Sequence, residues 1–424
     1  MLTRDDLIDT LLRVLLAREP LPADLLADWS DEDLAQAMAL VRAHRLGPWL
    51  HWRLAHAQPA LGAAWPAPAK VVLATQFREA TLRNLAIQAD LVRLHRSLAG
   101  AGIPGLALKG AYLAHHAYPH PATRTMRDID LLVPEAAIMR AFEVLLANGC
   151  ARLDRYSGDP AAFLAGGKHL PPLRTPSGQV NVEVHARLVH PEHARDGGVD
   201  EPGLWARQVQ APIGGQALAF LSPTDLLLHL VVHAAYDHRF DNGPLTFVDL
   251  AMLIERQPID WPLLWQLAGQ GGWLRGVALL LAMVEQLCGL RLPPEARAPA
   301  EAGLPQGDAL AAMVRTAARL SLRDTADRID HEFVGSFDDA RDQGGALGWL
   351  VAKAFPPRQR IAAQFPVPAD SWRVWFWYPV RWWHGLRHAL GVLSRAEMVD
   401  VQQRQARGEE RRQVGALESW LNAG

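Results

Sequence analysis

Two aspartates, Asp128 and Asp130, stand two residues apart in a short apolar run that ends at Val133. Side chains at positions i and i+2 of a β-strand point the same way, so a strand here would present both carboxylates on one face. Neighbouring carboxylates repel each other, and a divalent cation relieves that repulsion. Mg²⁺ binds one or two carboxylates together with substrate phosphates. The pair therefore favours metal-assisted phosphoryl transfer, with a solvent-facing pair at a strand end as the alternative.

A third carboxylate and several cations extend this pattern. Glu183 lies on the polar face of the alternating segment 181–188 and can supply another oxygen ligand. Lys109 and Gly110 follow an apolar run and precede a helix-like segment, where glycine allows close backbone approach and a helix start attracts anions. Arg124 and Arg127 come just before the aspartates. Together these residue types are those of a site for a metal-bound triphosphate.

Histidines recur in the C-terminal half of the chain. Asp225, His229, His233 and Asp237 follow one another at four-residue intervals, which predicts one polar stripe along a helix. His229 and His233 also have the spacing of a metal-binding pair, but residues 230–232 lack the glutamate of a zinc protease motif. We favour a stripe that packs against the predicted cleft over a zinc site.

Three further positions are candidates for this cleft. His185 shares the predicted strand face of Glu183, and it could contact substrate or orient that glutamate. His169, next to Lys168, lies in a Gly/Pro-rich stretch and is a candidate substrate contact. Asp249 is expected to pair with one of the histidines.

These residues need a small α/β unit to hold them. Apolar runs and amphipathic periodicity predict strand, helix, strand, helix and strand in turn, at 103–108, 110–118, 128–133, 135–147 and 181–188. Helical patterns flank the unit, with helix starts at Ser30 and Ser222 and a helix over 80–101. We predict an α+β fold with a mixed sheet, made of an N-terminal helical segment (1–100), a core (101–215) and a C-terminal helical domain (216–424).

The core motif resembles a known family. The stretch LALKGAYLAHHAYPHPATRTMRDIDLLVP is similar to the central motif of the uncharacterised nucleotidyltransferase family, within the polymerase-beta-type superfamily. VNVEVHARL resembles the strand that carries the third carboxylate, and SPTDLLLHLVVHAAYDHRF resembles the helix that follows. Lys109-Gly110 stands where the wider superfamily has Gly-Ser.

The resemblance implies an activity and a set of site residues. It implies transfer of a nucleoside monophosphate from an NTP to an acceptor, with Asp128, Asp130 and Glu183 as ligands of Mg²⁺ or Mn²⁺. Lys109 and Arg124 are the first candidates for the triphosphate. The other candidate substrate contacts are Gly110, Arg127, His169, His185, His229 and His233. A non-catalytic nucleotide- or partner-binding protein, and a transferase of another phosphate-linked group, are the alternatives.

Composition limits the partners. The 424 residues include 43 Lys and Arg against 45 Asp and Glu, a net charge of −2, which disfavours long nucleic acids as the acceptor. Only two cysteines occur, which excludes a disulfide scaffold and cysteine-rich metal sites. The chain shows no signal-peptide pattern at its first residues and no apolar run of 18 residues. We expect a cytoplasmic protein.

The segment 372–383 is unusual because seven of its twelve residues are aromatic. Packing within the helical domain, a membrane-interface helix and a stacking surface for bases are all compatible with tryptophan next to arginine. We favour packing, with use as an interface as the alternative. Residues 293–307 are predicted to form a surface linker, and residues 324–342 and 397–420 solvated surfaces.

Overall fold

Helices account for most of the chain in the computed structural model, which describes residues 2–190, 193, 199–323, 345–383, 385 and 401–423. The α-helices before the last strand are α1 (Arg4–Leu16), α2 (Asp31–Ala43), α3 (Gly47–Trp52), α4 (Pro59–Ala64), α5 (Ala67–Gly100), α6 (Gly110–His116), α7 (Ile138–Ala147), α8 (Pro160–Ala165) and α9 (Glu201–Ala206). Those after it are α10 (Pro223–Val232), α11 (Leu245–Arg256), α12 (Trp261–Gly271), α13 (Leu274–Cys288), α14 (Gly307–Leu320), α15 (Ala346–Ala354), α16 (Arg358–Gln364) and α17 (Val401–Asn422).

The described strands form one mixed sheet of seven strands in the order β3-β4-β5-β2-β1-β7-β6. Their bounds are β1 (Leu106–Ala107), β2 (Asp128–Leu132), β3 (Ala151–Arg152), β4 (Leu173–Arg174), β5 (Asn181–His185), β6 (Val209–Ile213) and β7 (Gln216–Phe220). β2 runs parallel to β5 and antiparallel to β1, and β1 runs parallel to β7. The predicted α+β class and mixed sheet are confirmed.

The sheet is wider than the sequence pattern indicated. β1, β2 and β5 were predicted, whereas two strands of two residues were not: β3, which follows α7, and β4, which lies in the Gly/Pro-rich stretch. The β6–β7 hairpin turns at Gly214 and Gly215, which both have positive φ, as a tight hairpin requires. Because β7 pairs with β1, the sheet continues to Phe220, past the predicted core boundary at residue 215.

Helix ends agree with the sequence signals at their N-termini. Ser30 and Ser222 cap α2 and α10, each accepting a hydrogen bond from the backbone N–H three residues on. The long helix α5 starts at Ala67, thirteen residues before the predicted start at Ala80. Its early turns contain Val71 and Val72, which are exposed and so break the amphipathic pattern.

One hydrophobic core joins all three predicted segments. Leu15 of α1, Leu91 of α5, Ile129 of β2, Leu279 of α13 and Leu421 of α17 are all buried in the same cluster. Helix α1 packs against α2 and α3, and also against α13 and α14. The N-terminal helices therefore complete the core of the C-terminal helices.

Two segments predicted to lie in solvent contribute to this packing. Ala296 and Ala302, within the predicted linker 293–307, are buried. Leu417 and Leu421 bury one face of α17, because its apolar residues recur at helical spacing. The other predicted solvated surface, 324–342, lies outside the described residues.

The tryptophan-rich segment 372–383 packs on one side only. Val374 and Tyr378 are buried in a small separate cluster, and Trp377 stacks on Phe365 with ring centroids 4.7 Å apart. On the other side Trp372, Trp375, Phe376 and Trp383 are each at least 50% exposed. Packing thus accounts for part of the segment, and its use as an interface stays a prediction. Among the helices of the described residues, none has the length and apolar content needed to span a bilayer.

Arg53 connects the end of α1 to the segment that follows α3. This arginine is 5% exposed, and it donates hydrogen bonds to the carbonyl oxygens of Val14 (2.8 Å) and Ala17. Arg53→Met should lower the free energy of unfolding by about 2 kcal/mol, because buried carbonyl groups lose their donors. Urea denaturation measures the change. Arg13→Met, at an exposed position of α1, is the control and should change stability by less than about 0.5 kcal/mol.

Candidate active site

A cleft of about 560 Å³ lies at the ends of β2 and β5. Most of the predicted site residues line it: Lys109, Gly110, Arg124, Arg127, Asp128, Asp130, His169, Glu183, His185 and His233. His229 does not. The structure therefore brings together all three predicted carboxylates and most of the predicted substrate contacts, while their roles stay predictions.

Strand register places the carboxylates. Asp130 of β2 is the direct partner of Glu183 in β5, and Asp128 lies opposite Asn181. Because parallel partners in register point to the same side, Asp130 and Glu183 face the cleft together. Asp130 is 3% exposed, whereas the Glu183 side chain is 23% exposed. The two carboxylates therefore meet at the inner end of the cleft.

Lys109 connects β1 to α6 in a backbone conformation that is rare for a residue with a side chain. Its φ is 47°, and its ammonium lies 3.3 Å from the Asp130 carboxylate. The next residue, Gly110, packs so closely that a Cβ there would lie 3.0 Å from the Met126 Cγ. Such strain persists only where the surroundings impose it, and it is common at functional sites.

Charge is distributed unevenly among the carboxylates. Burial disfavours the charged form of Asp130, but Lys109 and the hydrogen bond from His185 outweigh it and hold the pKa of Asp130 well below its usual range. Burial and the neighbouring Asp130 raise the pKa of Asp128 to about 7. Burial opposes the charged form of Lys109, yet the carboxylates together raise its pKa. Of the two aspartates, Asp128 is therefore the one whose charged form is less stabilised.

His185 forms a hydrogen bond with Asp130. It is fully buried, and its Nε2 lies 2.8 Å from Asp130 Oδ1 and 3.7 Å from Glu183 Oε2. Burial lowers the pKa of His185 to about 4, so the ring is neutral and Nε2–H donates to Asp130. Of the two roles left open by the sequence, this contact supports orientation of a carboxylate, and the oriented residue is Asp130.

The opposite wall of the cleft comes from the end of α10 and the loop before β4. After Val232 the helix widens into a π-turn, His233–Asp237, which turns both residues toward the cleft. Asp237 forms an ion pair with Lys168, and its Oδ2 lies 3.5 Å from His233 Nδ1. His169 Nε2 lies 3.6 Å from Glu183 Oε2. Both members of the Lys168-His169 pair thus face the carboxylates.

The predicted polar stripe divides into two parts. His229 is 3% exposed, and neither ring nitrogen has a hydrogen-bond partner among the described residues. It lines a small apolar cavity with Val232 and Trp273 instead of the cleft. Asp225 faces away as well and pairs with Arg207 at 2.7 Å. His229 therefore does not line the cleft, although its ring centroid lies 6.1 Å from that of His233, and its substrate role stays a prediction.

Arg124 is held by Asp249. Its Nε and Nη2 donate to the two oxygens of Asp249 at 2.7 and 2.8 Å, and its Nη1 donates to the Thr125 carbonyl at 2.6 Å. Tyr118 donates to the same Asp249 at 2.6 Å. Asp249 therefore pairs with Arg124 and Tyr118, not with a histidine as expected. This arrangement anchors the loop before Asp128.

The donor set suits a hard divalent cation. Oxygens of Asp130 and Glu183 and a ring nitrogen of His185 lie within 4.8 Å of one another. Asp128 adds a carboxylate that is costly to leave ionised without a cation. Carboxylate oxygens are the preferred ligands of Mg²⁺, and Mn²⁺ also accepts an imidazole. The residues present therefore fit the metal that the resemblance implies.

The chain matches a known protein family. The profile of the uncharacterised nucleotidyltransferase family matches residues 30–289, more than half of the chain. The chain belongs to this family. The match runs from α2 to the end of α13, so in this nucleotidyltransferase-family protein it includes every residue that lines the cleft. No curated protein matches the chain.

Several polar side chains that line the cleft were not predicted from the sequence. His44, His190, His193, His238 and Asp241 also line it. They come from the end of α2, from the loop after β5 and from the residues after the π-turn. Each lies outside a periodic element, so the sequence carries no pattern that assigns it to a face.

The pair Arg124–Asp249 generates a stability prediction. Asp249→Ala should lower the free energy of unfolding by about 3 kcal/mol, because it leaves a buried guanidinium without its partner. The double variant Arg124→Met/Asp249→Leu removes both charges, and it should recover at least half of that loss. Urea denaturation of the variants measures both effects. A loss below about 1 kcal/mol in Asp249→Ala would show that the pair contributes little.

Proposed function

We propose that this protein is a metal-dependent nucleotidyltransferase that transfers a nucleoside monophosphate from an NTP to an acceptor nucleophile. The observation that carries the proposal is the in-register pair of Asp130, which is buried, and Glu183, which is partly exposed, beside Lys109 in a cleft of about 560 Å³. Membership of the nucleotidyltransferase family supports the reaction class. A protein that only binds nucleotide has no need of three carboxylates that line one cleft.

Asp128, Asp130 and Glu183 would hold Mg²⁺ or Mn²⁺. When bound, the metal neutralises phosphate charge and activates an attacking oxygen. His185 fixes the orientation of Asp130 through its hydrogen bond. The three carboxylates come from two neighbouring strands, so the sheet itself keeps them in place.

Lys109 is the first candidate for the triphosphate. Its ammonium stays charged at neutral pH because the carboxylates raise its pKa. In the absence of other cations it pairs with Asp130 at 3.3 Å. A bound triphosphate would offer it a second anionic partner in the same cleft. Arg124, by contrast, is engaged by Asp249, so we assign it a positioning role.

The chemical step follows from these positions. An acceptor oxygen forms a bond to the α-phosphorus, the bond from that phosphorus to its bridging oxygen breaks, and pyrophosphate leaves with the electron pair. Glu183, the more exposed of the Asp130–Glu183 pair, is placed to accept the proton of the acceptor hydroxyl.

Labelled nucleotides test the reaction class directly. Each NTP, labelled at either the α- or the γ-phosphate, is incubated with the protein, Mg²⁺ and cell extract as the source of acceptor. Retention of the α-label on a product supports nucleotidyl transfer. Retention of the γ-label instead would mean phosphoryl transfer, and no retained label would leave a binding protein; either result contradicts the proposal.

Asp130→Asn should reduce α-label transfer by roughly a hundredfold or more, because it removes one ligand charge and replaces the charged acceptor of the His185 hydrogen bond with a neutral one. The measurement is initial rate at saturating NTP and Mg²⁺. Asp154→Asn, at an exposed position outside the cleft, is the matched control and should keep wild-type activity. Full activity of Asp130→Asn would refute the carboxylate assignment.

Lys109→Met should raise the NTP Kd about tenfold or more, equivalent to roughly 1.4 kcal/mol of lost binding energy. Calorimetric titration with saturating Mg²⁺ measures it. The substitution keeps a side chain at the strained position, so the backbone cost is unchanged. Lys109→Arg retains the charge and should recover part of the affinity, whereas equal Kd values for all three proteins would make Lys109 purely structural.

A further inference from the structure

A second cavity of about 250 Å³ adjoins the cleft and shares Thr125 and Met126 with it. Three arginines line it: Arg42 at the end of α2, Arg45 just after that helix, and Arg83 of α5. We call this space the arginine cavity. It lies on the side of the cleft where the chain approaches Asp128.

Positive charge in the arginine cavity is poorly balanced. Glu79 is the single carboxylate among the residues that line it. Within the described part of the chain, neither Arg42 nor Arg45 has a carboxylate at ion-pair distance. Arg83 donates to the Gln179 carbonyl at 2.9 Å, and its buried Nε has no hydrogen-bond partner among the described residues. Three guanidinium groups therefore face one small space with a net excess of positive charge.

Arg45 stands at a position that normally suits glycine. It follows the C-cap of α2 with φ at 56°, and the next N–H, of Leu46, bonds back to the Val41 carbonyl at 2.8 Å. This is the helix-ending turn in which the left-handed residue is usually glycine. A side chain there costs free energy, so the turn itself does not favour arginine over glycine.

The electrostatic surroundings of Arg45 point to the same place. Burial and Arg83 lower the pKa of Arg45, while Asp128 raises it, so its guanidinium lies within electrostatic range of both. Lys109 interacts with all three carboxylates, and Lys168 interacts with Asp130. Arg45 therefore adds a cation on the side of the cluster where Asp128 lies.

We propose that the arginine cavity binds a phosphate group of the acceptor, so that the acceptor is a phosphorylated molecule; this rests on the proposed function. Guanidinium groups bind phosphate through paired hydrogen bonds, and several arginines around one space suit a dianion. Lys109 serves the NTP near Asp130, and the arginine cavity holds the acceptor on the Asp128 side. Thr125 and Met126 line both the cavity and the cleft, so the two spaces are neighbours. An acceptor whose phosphate is bound in the cavity would therefore extend its nucleophile into the cleft.

Binding of inorganic phosphate tests the cavity without any activity measurement. Isothermal titration of phosphate into metal-free protein is compared among wild type, Arg45→Gly, Arg42→Gln and Lys109→Met. Arg45→Gly and Arg42→Gln should each raise the phosphate Kd about tenfold, and Lys109→Met should change it less than about twofold. Arg78→Gln, at an exposed position of α5 outside the cavity, is the control. An unchanged Kd in Arg45→Gly, or a loss confined to Lys109→Met, would overturn the proposal.

The stability of Arg45→Gly distinguishes a role of the arginine side chain from a role in forming the turn. Glycine relieves the positive φ at this position, so Arg45→Gly should have a urea midpoint equal to or above that of wild type. A lower midpoint would contradict the argument that the turn alone does not require arginine.

A second titration separates the acceptor from the NTP. With Mg²⁺ saturating, Arg45→Gly should keep the wild-type NTP Kd within about twofold. A tenfold rise would mean that the cavity holds phosphates of the NTP, which overturns the acceptor assignment. If no NTP label is transferred in the earlier experiment, the proposed function fails even where the cavity binds phosphate. Transfer together with an unchanged phosphate Kd in Arg45→Gly rejects the cavity alone.

Discussion

Repulsion between carboxylates that the sheet forces together is the constraint on which the cleft depends. Parallel register sets Asp130 beside Glu183, and the strand period sets Asp128 on the same face. The ammonium of Lys109 offsets part of this negative charge, and the neutral ring of His185 donates a hydrogen bond to Asp130. The charged form of Asp128 is less stabilised, because burial and the neighbouring Asp130 both raise its pKa. Neighbouring features, including the strained backbone at Lys109, serve to hold these charges close.

Charged residues in this chain divide into those that hold the fold and those that face the cleft. Arg124 was predicted from the sequence to contact the triphosphate, and Asp249 to pair with a histidine. They instead form a bidentate ion pair that anchors the loop leading to Asp128. Arg207 and Asp225 do the same at the start of α10. Burying a charge requires a close partner, so a buried guanidinium with two carboxylate contacts has little left to offer a substrate.

The sequence sufficed for features that follow from local periodicity. The shared face of Asp128 and Asp130, the alternation around Glu183 and the caps at Ser30 and Ser222 all rest on contacts within a few residues. The family resemblance, now matched over residues 30–289, gave the reaction class.

Long-range packing was out of reach of the sequence. The partner of Asp249 lies 125 residues away, and the π-helical turn at His233–Asp237 has no sequence signal. Arg45 was missed for a related reason. Its importance comes from a backbone angle and from a neighbour on α5, and neither can be read from residue types. The sheet was underestimated because β7 reaches β1 only through the fold.

The shared core has a consequence for how the protein is made. Helix α1 is synthesised well before α13 and α14, which begin at residues 274 and 307 and against which it packs in the finished protein. At the usual rate of about 5–20 residues per second, the apolar face of α1 waits on the order of 15–60 s for those partners. During that interval the nascent chain exposes residues such as Leu11 and Leu15, which are fully buried in the finished protein. We therefore expect the nascent chain to need chaperones during this interval. A fragment that ends before α13 would leave the apolar face of α1 exposed to solvent.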